Sequence, residues 1–102
     1  MQERRSAERF HANLNVRWQS LMTQGRGAVC DLSASGCFVL TGGQVTPREL
    51  IRLDLIAGDE ITTLWGQVAY HVSEMGFAVR FVFGNEMDRR VLSSVIDTLP
   101  QN

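Results

Sequence analysis

Two short stretches of this chain carry side chains suited to holding an anion. The first, Arg4-Arg5-Ser6-Ala7-Glu8-Arg9, places Arg5 and Arg9 in an Arg-x-x-x-Arg spacing. The second, Asp31-Leu32-Ser33-Ala34-Ser35-Gly36, places Asp31, Ser33 and Gly36 in an Asp-x-Ser-x-x-Gly spacing. A guanidinium presents a planar fork of donors that matches phosphate and also stacks on a flat ring. A turn holding Asp, Ser and Gly offers a carboxylate acceptor, a hydroxyl, and a position where backbone approaches a ligand without an intervening Cβ. Taken as two sides of one site, these residues suit a ligand that has both phosphates and purine faces.

Such residues need a scaffold, and the pattern around them is mostly that of strands. Residues 1 to 9 lack apolar periodicity, so a mobile arm is expected, anchored where Phe10 begins to pack. Phe10, Ala12, Leu14, Val16 and Trp18 alternate with polar residues, which predicts a strand with one buried face and Arg17 pointing outward. Residues 20 to 27, with Gly25-Arg26-Gly27, read as a loose loop. Ala28-Val29-Cys30 and Cys37-Phe38-Val39-Leu40 read as strands leading into and out of the Asp31 to Gly36 turn.

After a turn at Thr41-Gly42-Gly43 and a break at Pro47, residues 50 to 56 alternate again, and Gly58-Asp59 turns the chain. Residues 61 to 70 predict a long strand with Leu64, Gly66, Val68 and Tyr70 on one face, Gly66 permitting a bulge or bend. Following a turn at Ser73-Glu74, residues 76 to 83 form a further β-rich run. Asn85 is placed to cap a helix with Asp88 in its first turn and an apolar stripe of Met87, Val91, Leu92, Val95, Ile96 and Leu99, with Pro100 as its stop. The expected architecture is therefore mainly β: a six-stranded antiparallel β-barrel over 10–83, with a C-terminal α-helix over 85–99 covering an open end or face, in a single domain.

Composition narrows the function classes. At 102 residues, 44% hydrophobic and 21% charged, the chain has the make-up of one ordinary globular domain. No apolar run approaches the roughly 20 residues of a membrane span, and the start does not read as a secretory leader, so no membrane partner and a cytoplasmic location are expected. A net charge of −1 argues against a nucleic-acid polymer as partner, although all ten basic residues are arginine. Cys30 and Cys37 flank the polar turn and are read as small core-facing residues rather than a disulfide or a zinc site. His11, His71 and the scattered carboxylates and serines form no nucleophile elbow, metal cluster or Gly-Lys phosphate loop, so no enzymatic activity is expected. Trp18 and Trp65 fall in strand patterns and are read as core or barrel-rim residues, which leaves little for stacking single-stranded nucleic acid.

Arg5-x-x-x-Arg9 followed by Asp31-x-Ser33-x-x-Gly36, together with Gly66-Gln67-Val68 and the run from Met75 through Gly76, Phe77, Ala78, Val79 and Arg80 to Phe81, resembles the PilZ domain family. The resemblance extends from Arg4 to the final helix. It implies a six-stranded barrel that binds cyclic di-GMP, a bacterial second messenger, with no cofactor. Carried onto this sequence, it implies that Arg5 and Arg9 contact phosphate and stack on guanine, that Asp31 and Ser33 supply polar contacts from the turn, and that Gly36 allows close approach. A carboxylate can accept from guanine N1 and N2, which a guanidinium cannot. Arg4 reads either as a third flat cation, stacking on a guanine of a second nucleotide, or as a solvent-facing arginine in a frayed terminus. The chain looks like a free-standing member of the family, whose signal passes to an unidentified downstream protein. The alternative is an interaction adaptor of the same fold that does not depend on nucleotide, and the complete arginine and turn motifs argue against it.

Overall fold

Alternation of apolar and polar side chains sets the first strand, β1 (Phe10–Gln19): Leu14, Val16 and Trp18 are buried, whereas Asn15, Arg17 and Gln19 face outward. The computed structural model describes residues 8–99. The expectations for Arg4, Arg5 and Pro100, and for a mobile arm ahead of Glu8, lie outside the described residues. Five further strands follow, β2 (Gln24–Leu32), β3 (Gly36–Leu40), β4 (Leu50–Ala57), β5 (Glu60–Val72) and β6 (Gly76–Val82), and then one helix, α1 (Glu86–Asp97). Every neighbouring pair is antiparallel and the ring closes in the order β1-β2-β3-β6-β5-β4, which is the expected six-stranded barrel.

Inward-facing residues of all six strands fill the barrel, led by Trp18, Leu32, Ile51, Leu53, Leu55 and Phe77. Trp18 and Phe77 meet edge to face with ring centroids 5.4 Å apart at 87°, an arrangement favoured by the ring quadrupoles. Phe10 and Ala12, at the start of β1, pack partly against the same cluster.

β2 begins earlier than the sequence suggests. Gly25 and Gly27 lie within the strand, and their lack of side chains is a packing requirement rather than a loop signal. A Cβ on Gly25 would lie 2.5 Å from the Trp18 ring, and one on Gly27 would lie 2.4 Å from the Leu40 carbonyl oxygen. Only a tight turn remains between β1 and β2. There the Ser20 N–H donates to Thr23 O at 2.7 Å, and Ser20 Oγ accepts from the N–H groups of Met22 at 3.1 Å and Thr23 at 2.9 Å. Ser20 Oγ in turn donates to the Glu49 carboxylate. This bracing holds Leu21 and Met22 out in solvent, 101% and 83% exposed.

β5 also departs from expectation. Its pairing with β6 runs regularly through Gly66 and slips between Val68 and Tyr70, so the bulge lies at Ala69. A one-residue slip reverses the face of everything beyond it. Tyr70 consequently points outward instead of sharing the buried face of Leu64 and Val68. Trp65 is outward as well, whereas Trp18 is core.

At the C-terminal end, Asn85 Oδ1 accepts from the Asp88 N–H at 3.1 Å, and Asp88 Oδ2 accepts from the Gly84 N–H at 3.0 Å, a reciprocal cap. The helix ends at Asp97, short of the expected 99, where the backbone N–H groups of Thr98 and Leu99 donate to Val95 O and Ile96 O, both at 3.1 Å, in the tighter pattern that closes a last turn. Leu92, Val95 and Leu99 reach the core, but Met87 is exposed, so the buried stripe is narrower than its periodicity implies. Among the described residues no helix is long and apolar enough to cross a membrane.

Candidate functional site

One irregularity in β2 decides where Asp31 points. Val29 faces Val39 of β3, yet Asp31 faces the adjacent Phe38, so Cys30 is an extra residue in the ladder. Without it, alternation from buried Val29 would send Asp31 into the core and Leu32 to the surface. With it, Leu32 is fully buried and the Asp31 carboxylate emerges beside the start of β1, where Arg9 Nη1 donates to Asp31 Oδ2 at 2.7 Å. The structure thus brings together Arg9 and Asp31, one residue from each motif. In this state they are partners of one another.

The same bulge corrects the reading of the cysteines, since Cys30 is half-buried at the irregularity and only Cys37 belongs to the core. Burial is the main cause that pushes the Cys37 thiol up to about 12, reinforced by the nearby negative charges of Asp31 and of Cys30 when ionised. In the unfolded chain the ordinary value is 9.0, so above that pH the unfolded state releases a proton that the folded state keeps. Stability is therefore expected to fall from pH 9 towards about 12, at a slope approaching about 1.4 kcal/mol per pH unit from this group. Denaturant midpoints of wild type and Cys37→Ala over that range check this, the variant showing the shallower decline.

Ser33 and its neighbours form a self-contained turn. The Ser33 N–H donates to Gly36 O at 2.9 Å, and Ser33 Oγ accepts from the N–H groups of Ser35 and Gly36, both at 3.2 Å. Its hydroxyl proton has Gly36 O at 3.3 Å and Ser35 Oγ at 3.2 Å as acceptors. Ser33 is itself buried, so its hydroxyl braces the turn from within, while Ser35 carries the exposed hydroxyl. Ser33→Ala is expected to cost about 1–2 kcal/mol of stability, and Ser35→Ala much less, as thermal unfolding would show.

Gly36 is fixed by the barrel. A Cβ there would lie 2.2 Å from the Val79 carbonyl oxygen, because β3 and β6 run very close at this point. Close approach is therefore real, and the approaching backbone belongs to the protein itself.

A groove of about 220 Å³ opens above this turn, lined by Arg9, Asp31, Ser35, Phe38, Tyr70 and Arg80 among others. Phe38 and Tyr70 form an aromatic wall with centroids 6.5 Å apart, and Tyr70 reaches it only because of the β5 bulge. Arg80 stands directly across the β3–β6 ladder from Gly36. Sequence reasoning did not single out Ser35, Phe38, Tyr70 or Arg80. The readable signal for Arg80 was its outward parity between Val79 and Phe81, whereas its pairing with Gly36 is a long-range contact that periodicity does not report. Guanidinia from two sides, a carboxylate and two aromatic rings tilted at 45° to one another make a groove able to take a planar, hydrogen-bonding anion.

The fold and groove define a small closed antiparallel barrel with an arginine–carboxylate pair at the mouth of a surface groove. The chain belongs to the PilZ domain family, whose sequence model matches residues 3–97. Among solved structures it is similar to the PilZ domain with c-di-GMP of YcgR from Escherichia coli, with a TM-score of 0.81 and 17% identity over 95% of this chain and 92% of that one. The K. pneumonia MrkH–c-di-GMP complex gives a TM-score of 0.76 and 18% identity over 92% of this chain and 51% of that one. The PilZ domain of CeSA from a cellulose synthesizing bacterium gives 0.74 and 14% over 88% and 95%. At these identities the likeness concerns the fold. Comparison with curated proteins finds no match.

Proposed function

We propose that this chain is a cyclic di-GMP receptor that binds the dinucleotide in the groove between Arg9 and the Ser33-braced turn. The observation that carries the reading is the Arg9–Asp31 pair, which sets the two halves of the family's signature side by side at 2.7 Å. On binding, the two groups exchange each other for complementary parts of one ligand. Arg9 turns to a phosphate or a guanine face, and Asp31 accepts from guanine N1 and N2. The exchange is inexpensive because the Arg9 side chain is 72% exposed and an exposed ion pair contributes only about 0–1 kcal/mol. Arg5 joins Arg9 on the phosphates, Arg80 adds positive charge across the groove, and Ser33 and Gly36 hold the turn in shape. Similarity to domains solved with c-di-GMP supports this ligand.

Arg4 is proposed to stack on a guanine of a second nucleotide. Calorimetric titration with cyclic di-GMP tests the whole reading: saturable heat at micromolar ligand is expected, with two nucleotides per chain if Arg4 acts as proposed. A stoichiometry of one removes the Arg4 role alone. Absence of any heat would leave the nucleotide-independent adaptor in its place. In either case the output passes to a protein partner that reads the barrel and its arm.

A further inference from the structure

At the far end of the β1–β2 ladder from the nucleotide groove, the outer wall of the barrel carries a second cluster of arginines. Two cross-strand rows lie side by side across β2, β1, β4 and β5: Gln24, Gln19, Arg52 and Trp65 in one, and Arg26, Arg17, Asp54 and Thr63 in the other. Arg26 and Arg17 are direct cross-strand partners, and like charges so placed oppose sheet pairing. A single carboxylate answers three guanidinia. Asp54 lies 3.8 Å from both Arg17 and Arg52 and accepts from the Thr63 hydroxyl at 2.8 Å, while Arg26 has no ion pair among the described residues.

Between these side chains runs a groove of about 320 Å³, lined by Arg17, Gln19, Gln24, Arg26, Arg52 and Asp54. Trp18 lines it too. That residue is only 2% exposed, and its Nε1–H has no acceptor among the described residues.

Exposed apolar side chains stand near this groove. Trp65 is 48% exposed beside its cross-strand neighbour Val82, 46% exposed, and the Ser20-braced turn holds Leu21 and Met22 in solvent at the end of the same wall. Trp, Met and Arg around a water-excluding centre are the side chains that dominate protein interfaces. Three guanidinia with one carboxylate are too few for a membrane surface, where clusters of about four to eight basic residues operate, and too few for a polynucleotide.

We propose that this wall is a docking surface for a protein partner presenting an acidic segment with an adjoining apolar side chain. A carboxylate enters between Arg17 and Arg26 and relieves their mutual repulsion, and the apolar side chain lies against Trp65. The site is separate from the nucleotide groove and stands whether or not cyclic di-GMP is the ligand.

Because the chain has two tryptophans, one facing this rim and one beneath the groove, their indole N–H resonances report on it directly. The probes are a short synthetic peptide alternating glutamate and leucine, the same peptide with glutamine for glutamate, a single-stranded oligonucleotide, and vesicles containing anionic lipid. The glutamate peptide is expected to shift the Trp65 and Trp18 indole resonances saturably, and the glutamine peptide is not. In the double variant Arg17→Gln, Arg26→Gln the peptide should bind at least about tenfold more weakly. Both positions are exposed and neither lines the first groove, so the variant should remain folded and its cyclic di-GMP titration should match that of wild type. Equal binding of the two peptides, retention of binding in the double variant, or shifts caused by oligonucleotide or vesicles in place of the glutamate peptide would overturn the proposal.

Discussion

Arg9→Ala is expected to weaken cyclic di-GMP binding at least about tenfold while leaving the barrel as stable as wild type, to within about 1 kcal/mol. Arg9 is exposed and its ion pair with Asp31 is at the surface, so folding hardly depends on it. In the proposed receptor, binding would depend on it, because a charge-assisted contact to phosphate contributes about 1.5–3 kcal/mol, which converts to roughly 10- to 150-fold in affinity. Asp31→Asn gives a second, differently shaped loss. An amide keeps one acceptor oxygen but loses the charge and presents an N–H₂ towards the guanine N1 and N2 donors, and it also frees Arg9 from its partner in the empty site. Calorimetry on both variants, with thermal unfolding as the folding control, checks the pair. Unchanged affinity in Arg9→Ala would remove the central contact of the proposed receptor.

Gly36→Ala is expected to act through the fold. A Cβ at 2.2 Å from the Val79 carbonyl oxygen meets backbone on the neighbouring strand, which cannot rotate aside, so β3 and β6 must separate locally and strain their ladder. Overpacking of this kind costs about 1–3 kcal/mol, occasionally more, or roughly 5–20 °C in melting temperature for a domain of this size. Gly42→Ala is the matched control, because nothing lies within 4 Å of a Cβ at that position and its effect should be negligible. Nucleotide affinity measured well below the variant's melting point should then fall only as far as the turn is displaced. The glycine of the Asp-x-Ser-x-x-Gly motif thus packs within the barrel wall, whereas the Ser33 hydroxyl is engaged inside its own turn.

How much of this was legible in the sequence differs by element for physical reasons. The β1 alternation maps directly onto burial, because an antiparallel strand with one wet face repeats every second residue. Asn85 capping Asp88 was equally readable, because a cap is a local hydrogen bond. Gly25 and Gly27 misled because a glycine required by a neighbour's bulk looks the same in sequence as a glycine required by a turn, and the neighbours here, Trp18 and Leu40, come from other strands. Bulges were invisible for a related reason. Neither Cys30 nor Ala69 is unusual by type, yet each shifts register by one residue, and those two shifts aim Asp31 and Tyr70 at the groove. Of the motif residues, Arg9 and Asp31 meet in the structure, and what surrounds them was not legible, since Arg80 meets Gly36 only through strand pairing across a long stretch of chain.

Closure of the ring also restricts how any protein could attach to this wall. In the middle of this wall, Arg17 and Gln19 of β1 and Arg52 and Asp54 of β4 each have a paired strand on both sides, so the backbone there is committed within the ring. Recognition by adding a strand, which draws its affinity from main-chain hydrogen bonds and tolerates varied sequences, is closed at these positions. A partner must instead be selected by side-chain identity, so specificity here can be rewritten by surface substitutions without disturbing a single rung of the ladder.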